Sequence, residues 1–288
     1  MTGVVGGKTG ELAVDDYRHG LDAQLAIFVR FFAMGVRRWS TYRLAVAAGA
    51  FANTVFGLLR ANITVAATAA AGGALGGYDA ATVATYVWLG QAFAGAVNFF
   101  PWTELAARIR LGDVAVDLAR PVDPQLAYLA ADLGRAVFQL VPRGAPPLLV
   151  GAVVTGLVLP ATPWPYALGV LSLLLAVSVS FACRWLVNLT AFWLLDLRGP
   201  MAFYQTAISI LCGLSVPVHW FPGWLARVAA STPFPSMLQT PIDVVTGRIV
   251  GVDAVAAIGV QAAWLAGLLV LGQVVFRFGA RRLVVQGG

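Results

Sequence analysis

The sequence predicts an all-α membrane protein with six transmembrane helices. Three observations lead there. Of its 288 residues, 59% are hydrophobic and 11% are charged, against roughly 25% charged in a soluble domain, so the chain lacks the polar surface to cover an aqueous particle. Apolar stretches of about 20 residues or more, enough to cross ~30 Å of hydrocarbon, fall at roughly 44–70, 80–101, 126–159, 164–195, 200–218 and 253–277. The basic residues, all but one of them arginine, gather in alternate connections between these stretches, as topology demands.

The elements follow in order. Residues 1–21 are polar and glycine-rich, without the basic-then-apolar pattern of a signal peptide, and predict a disordered N-terminus. Residues 22–43 place Leu25, Phe28, Phe32, Val36 and Trp39 at three- and four-residue spacing, with Arg30, Arg37 and Thr41 on the other face. That pattern predicts an amphipathic elbow helix lying in the headgroup plane. The transmembrane domain occupies 44–282. Its third span is interrupted by Pro142, Pro146 and Pro147, which predicts a kink between a cytosolic and a membrane-embedded half. The gaps 71–79 and 160–165 are glycine- and proline-punctuated turns without a basic residue.

Charge sets the orientation. With the N-terminus inside, the inner segments hold Lys8, Arg18, Arg30, Arg37, Arg38, Arg43, Arg108, Arg110, Arg120, Arg198, Arg277, Arg281 and Arg282, and the outer ones only Arg227 and Arg248. This asymmetry predicts an N-in/C-in topology. Trp102 and Trp193 then fall at the inner interface, and Tyr78, Trp164 and Trp220 at the outer one. The stretch at about 217–250 is apolar but broken by prolines, and predicts short re-entrant helices in the outer leaflet before the last span.

Several function classes drop out. The arginines sit where topology needs them, so nucleic-acid binding is not implied. Gly3 to Thr9 imitates a phosphate-binding loop but has three residues, not four, before Gly7-Lys8-Thr9, and no strand precedes it. His19 and His219 fall on opposite sides of the predicted membrane, so no metal site or catalytic set forms from them. Cys183 and Cys212 lie inside apolar spans and read as small buried hydrophobes. No chain of acids and histidines crosses the spans, as a proton relay would.

Polar residues inside the spans include Asn53, Arg60, Asn62, Asn98, Arg184, Asn188 and Gln205. A charge at that depth must face protein or water. Arg60 reads equally as a pathway residue or as one half of an interhelical bond. Arg184 has candidate partners in Asp132 and Asp196. The segment from Trp102 to Pro124 departs most from its surroundings: Glu104, Arg108 and Arg110 share one short helix at about 102–112, and Asp113 follows Gly112. It is either a docking surface for a soluble partner or a solvated connection.

Four features together carry a family resemblance: the interfacial helix, the charged helix with Ile109-Arg110-x-Gly112-Asp113, the Arg120-Pro121-Val122-Asp123-Pro124 turn, and Asp132 in Ala-Asp-Leu-Gly. A late Pro217-x-x-x-Phe221-Pro222-x-Trp224-Leu225 followed by Thr232-Pro233-Phe234-Pro235 extends it. The chain resembles the permease subunits of type-2 ATP-binding-cassette exporters, in the bacterial branch whose ATPase is a separate polypeptide. The resemblance implies a multi-pass protein of the bacterial inner membrane. Two permeases, identical or homologous, would pair above two copies of a cytosolic ATPase. ATP and Mg would bind that partner, leaving no cofactor in this chain. Glu104, Arg108, Arg110 and Asp113 would form the ATPase-coupling helix. Asn53, Arg60, Gln91, Asn98 and Gln205 would line the translocation pathway, and Pro217, Phe221, Pro222 and Trp224 the outer gate. The cargo would be a drug, antibiotic, peptide or lipid-like molecule. A lipid-linked glycan exporter and a self-contained channel or scaffold are the alternatives.

Overall fold

The structure, a computed structural model, describes residues 9–99, 102–120 and 122–282. It is helical almost throughout, and five of its helices are long and apolar enough to cross a membrane. Helix α1 spans Thr9–Ser40. Residues 9–21 are therefore helical where disorder was expected, because the Glu11-Leu12-Ala13 run favours helix. Residues 1–8, with the imitation phosphate loop, lie outside the described residues. α1 packs most extensively on α6 (Pro124–Val154), with Phe28, Phe32, Val36 and Trp39 half-buried and Leu25 exposed. Two glycines allow this: a Cβ on Gly35 would overlap the Ala131 carbonyl, and one on Gly134 the Phe32 carbonyl. Gly35→Val should force the helices apart and cost about 1–3 kcal/mol by overpacking. A lowered thermal midpoint with faster proteolysis inside α1 would register it, and an unchanged melt would refute the close approach.

Helix α2 (Arg43–Ala70) leads through a two-residue Gly76-Gly77 turn, which joins strands β1 (Ala74–Leu75) and β2 (Tyr78–Asp79), into α3 (Ala80–Val97). Both glycines have positive φ, 56° and 75°, as a tight hairpin turn requires. Asp79 caps α3 by accepting from Thr82 N at 2.8 Å while the Thr82 hydroxyl accepts from Asp79 N at 3.0 Å, the reciprocal arrangement that fixes a helix start. Asn98, left-handed at φ 58°, ends it. α3 is buried along most of its length and forms the centre of the bundle. Its Trp88 is fully buried where Gly57 of α2 and Gly151 of α6 leave room, and donates to Thr155 Oγ1 at 3.0 Å.

α6 contains Pro142, Pro146 and Pro147 without interruption. α6 is one continuous helix through the three prolines, packed by α1, α2 and α3. Beyond it come α4 (Glu104–Leu111) and α5 (Val114–Leu118), which precede it in the chain, and α7 (Trp164–Leu189), which follows.

The fifth predicted span is only partly helical. Helix α8 covers only Arg198–Leu211, 14 residues or about 21 Å, short of the ~30 Å hydrocarbon thickness. Hydropathy continues to Val218, but Gly213 adopts φ +89° and unwinds the chain. The freed carbonyls are satisfied from other elements: Cys212 O accepts from Gln239 N at 3.2 Å, Gly213 O from the Tyr86 hydroxyl at 2.7 Å, and Leu214 O from Arg60 Nη1 at 2.9 Å. Buried non-helical backbone is tolerable only with such partners. A 3-10 turn at Val218–Trp220, α9 (Gly223–Ala230), a second 3-10 turn at Phe234–Met237 and α10 (Gln239–Val245) follow, and α11 (Gly251–Ala280) closes the fold.

Two clusters make the core. The larger surrounds Trp88 between α3, α6 and α7. The smaller stacks Phe181, Trp185 and Phe276 and holds Leu105 and Ile109 of α4. The α1 C-terminus, α4 and the C-terminus of α11 therefore share one end of the bundle. The β-hairpin and the 217–250 segment share the other, where Trp220 Nε1 donates to Leu75 O at 2.8 Å.

Candidate functional site

Helix α4 is a two-faced element. Leu105, Ala106 and Ile109 are buried, Ile109 following the other two at the four- and three-residue spacings that share one side of a helix. Gly112, left-handed at φ 78°, turns the chain into α5. Asn188 of α7 clamps the start of α4: its Oδ1 accepts from Ala106 N at 3.1 Å and its Nδ2 donates to Trp102 O at 2.7 Å. Sequence reading left Asn188 among the unassigned polar residues; the structure makes it the rivet between α4 and α7.

Of the four charged residues expected to couple to a partner, three also make bonds within the chain. Glu104 accepts from Arg38 of α1 at 2.9 Å. Arg108 holds Asp117 with two bonds, 2.8 and 3.0 Å, and reaches Asp113 O at 3.3 Å. It thereby locks the α4–α5 corner, and hydrogen bonding to Asp117 raises the guanidinium pKa above its ordinary value. Arg110 donates to Leu195 O at 3.2 Å. Asp113 is exposed on the turn. What remains free on the outer face is apolar, Leu111 at 76% and Val116 at 55% exposure, flanked by Arg110 and Asp113. Hydropathy could not single out these two, since the equally apolar Ile109 and Val114 beside them are buried.

Behind this corner lies a cavity of about 320 Å³ between α1, α4, α5, α6 and α7. On its wall Asp132 accepts from Arg135 Nε and from Arg184 Nη2, each at 2.7 Å. Arg184 thus takes the first of its two expected partners. Asp196 pairs with Arg198 instead. Arg135 also donates to the Gly95 and Ala96 carbonyls at 3.0 and 2.8 Å, tying α6 to the end of α3.

The residues expected along a pathway do not converge on one cavity. Asn53 Nδ2 donates to Gln91 O at 3.2 Å, joining α2 to α3. Arg60, two turns along α2, supports the unwound segment at Leu214. Asn98 lines the cavity behind the corner. Gln205 sits on α8 with its buried Oε1 unpartnered among the described residues. Of the proposed gate, Pro222 opens α9 by accepting from Leu225 and Ala226, Pro217 accepts from Trp220 N, Phe221 is half-buried and Trp224 is 62% exposed.

At this end sequence reading missed a buried polar network. Asp243 accepts from Gln239 Nε2 at 2.9 Å and from the Tyr78 hydroxyl at 3.3 Å, and lies 2.9 Å from His219 Nε2. Gln239 Oε1 lies 2.8 Å from the Tyr86 hydroxyl, whose one proton is shared with Gly213 O, and accepts from Val218 N at 2.8 Å. Arg248 stacks 4.0 Å from the Tyr78 ring centroid and donates to the Gly76 and Gly77 carbonyls. The i, i+4 pair Gln239 and Asp243 inside an apolar stretch was the available signal.

No cluster able to hold a metal occurs among the described residues. A family model described as ABC-2 family transporter protein matches residues 56–287. No curated protein and no solved structure matches the chain.

Proposed function

The chain belongs to the ABC-2 transporter family, and we propose that it is an exporter permease, one half of a translocation path driven by a separate cytosolic ATPase. The α4–α5 corner carries the reading. It presents Leu111 and Val116 outward while Asn188 and the aromatic cluster fasten its other face to α7. A partner that grips the corner therefore moves a whole helix and not a loose loop.

The topology in this proposal is N-in/C-in. Its support is the shared end of the bundle, where Arg38, Arg108, Arg110 and the last turn of α11 with Arg277 lie together. ATP closes two ATPases on each other, the corners of two permeases follow, and the bundles exchange an inward-open for an outward-open arrangement. Asn53, Arg60 and Gln205 face the path between the two copies, Gln91, buried on α3, holds Asn53 through its carbonyl, Asn98 faces the cavity behind the corner, and the 217–250 segment caps the outer exit. The cargo in this proposal is a drug, antibiotic, peptide or lipid-like molecule.

The test is to express the chain with a stand-alone ATPase encoded beside it, purify through a tag on this chain, and take the native mass. Two permeases with two ATPases is the expected result. Recovery of the chain alone, under conditions that keep other membrane complexes whole, would overturn the proposal.

A further inference from the structure

The cavity behind the α4–α5 corner has an uneven charge. Two of its carboxylates are each shared by two guanidiniums. Asp132 lies 2.7 Å from both Arg135 and Arg184. Asp117 lies 2.8 Å from Arg108 and 3.9 Å from Arg120. The third, Glu104, is matched one-to-one with Arg38 at 2.9 Å. Five arginines thus meet three acids, and the excess of two positive charges is localised at the two shared carboxylates. Arg135 and Arg184 are at most 6% exposed in their side chains, so water screens their share of the excess poorly. Aromatic side chains from three helices, Trp39, Tyr128 and Phe181 among them, complete the wall.

We propose that this cavity binds the headgroup of one anionic phospholipid, its phosphate among the arginines and its glycerol end against the aromatics. A phosphate group accepts from guanidiniums in the planar fork geometry that arginine offers. Basic pockets between membrane helices at the cytoplasmic interface suit such lipids. The elbow helix α1 forms one wall, so the mouth opens at headgroup depth. A zwitterionic headgroup would bring its ammonium into the same positive field and is disfavoured. The lipid would supply the negative charge that the protein lacks and brace α1 against the corner.

The test is native mass spectrometry of the full chain, released from nanodiscs containing phosphatidylglycerol and phosphatidylcholine in equal amounts. The wild type should retain one phosphatidylglycerol with about tenfold preference, the scale of one or two charge-assisted hydrogen bonds. Arg120→Glu, at a side chain 60% exposed, removes the excess charge without touching the core and should bring the two lipids to parity. Arg184→Lys keeps a cation beside Asp132 but loses the fork, and should weaken retention with the chain still monodisperse. Equal retention of both lipids by the wild type would overturn the site. So would undiminished preference in Arg120→Glu. Retention of inorganic phosphate in place of phosphatidylglycerol when the two are supplied at equal concentration would overturn the lipid as occupant.

Discussion

Leu111→Glu releases the ATPase from the purified complex while the permease remains folded. Leu111 is 76% exposed at the tip of α4, so its replacement changes the stability of the chain by no more than about 0.5 kcal/mol. In a complex the same side chain is desolvated, and a carboxylate there must give up its hydration. A central apolar contact is worth about 2 kcal/mol or more in such an interface, which is a loss of roughly thirtyfold in affinity. The readout is the ATPase-to-permease ratio after tag purification, beside an unaltered thermal melt. Full co-purification of the variant would mean that the partner does not grip the tip. The structure also changes what Glu104→Ala with Arg108→Ala would report. Glu104 is held by Arg38 and Arg108 by Asp117, so that pair of changes would loosen the corner itself and lower coupling through its shape. Leu111 separates contact from shape.

The helices were legible because hydropathy over about 20 residues is a strong and local signal. α2, α3, α7 and α11 begin and end close to where composition put them. α8 was overestimated because Leu214, Val216 and Val218 read as more span, while the feature that ends the helix is one backbone torsion at Gly213. Nothing local announces that this segment's carbonyls find Tyr86, Gln239 and Arg60, which lie 27 to 154 residues away. The site divides the same way. Glu104, Arg108, Arg110 and Asp113 were visible as charges in an apolar chain. Their commitments to Arg38, Asp117 and Leu195 depend on how α1 and α7 fold back, and sequence spacing does not encode that. Asp132 was one of two acids offered to Arg184, but Arg135 went unnoticed, although the i, i+3 spacing from Asp132 was available.

Asp132→Ala destabilises the chain far more than Arg184→Leu does, although both break the same ion pair. The asymmetry follows from counting charges. Asp132 is the one carboxylate for two buried guanidiniums, Arg135 at 2.7 Å and Arg184 at 2.7 Å. Removing it strands both, and leaving buried charge uncompensated costs about 3–5 kcal/mol. Removing Arg184 leaves Asp132 and Arg135 as a balanced pair, with the Arg135 bonds to the Gly95 and Ala96 carbonyls intact. A leucine in the vacated space adds apolar burial, and such a replacement is close to neutral. Monodispersity after stepped heating should therefore separate the two variants widely, with Asp132→Ala aggregating first. Comparable melting of the two would mean that the excess charge at this wall is already neutralised without Asp132. An anion bound in the cavity would do that, and repeating the comparison in phosphatidylglycerol and in a neutral lipid decides it: rescue of Asp132→Ala in the anionic lipid alone assigns the compensating charge to the membrane.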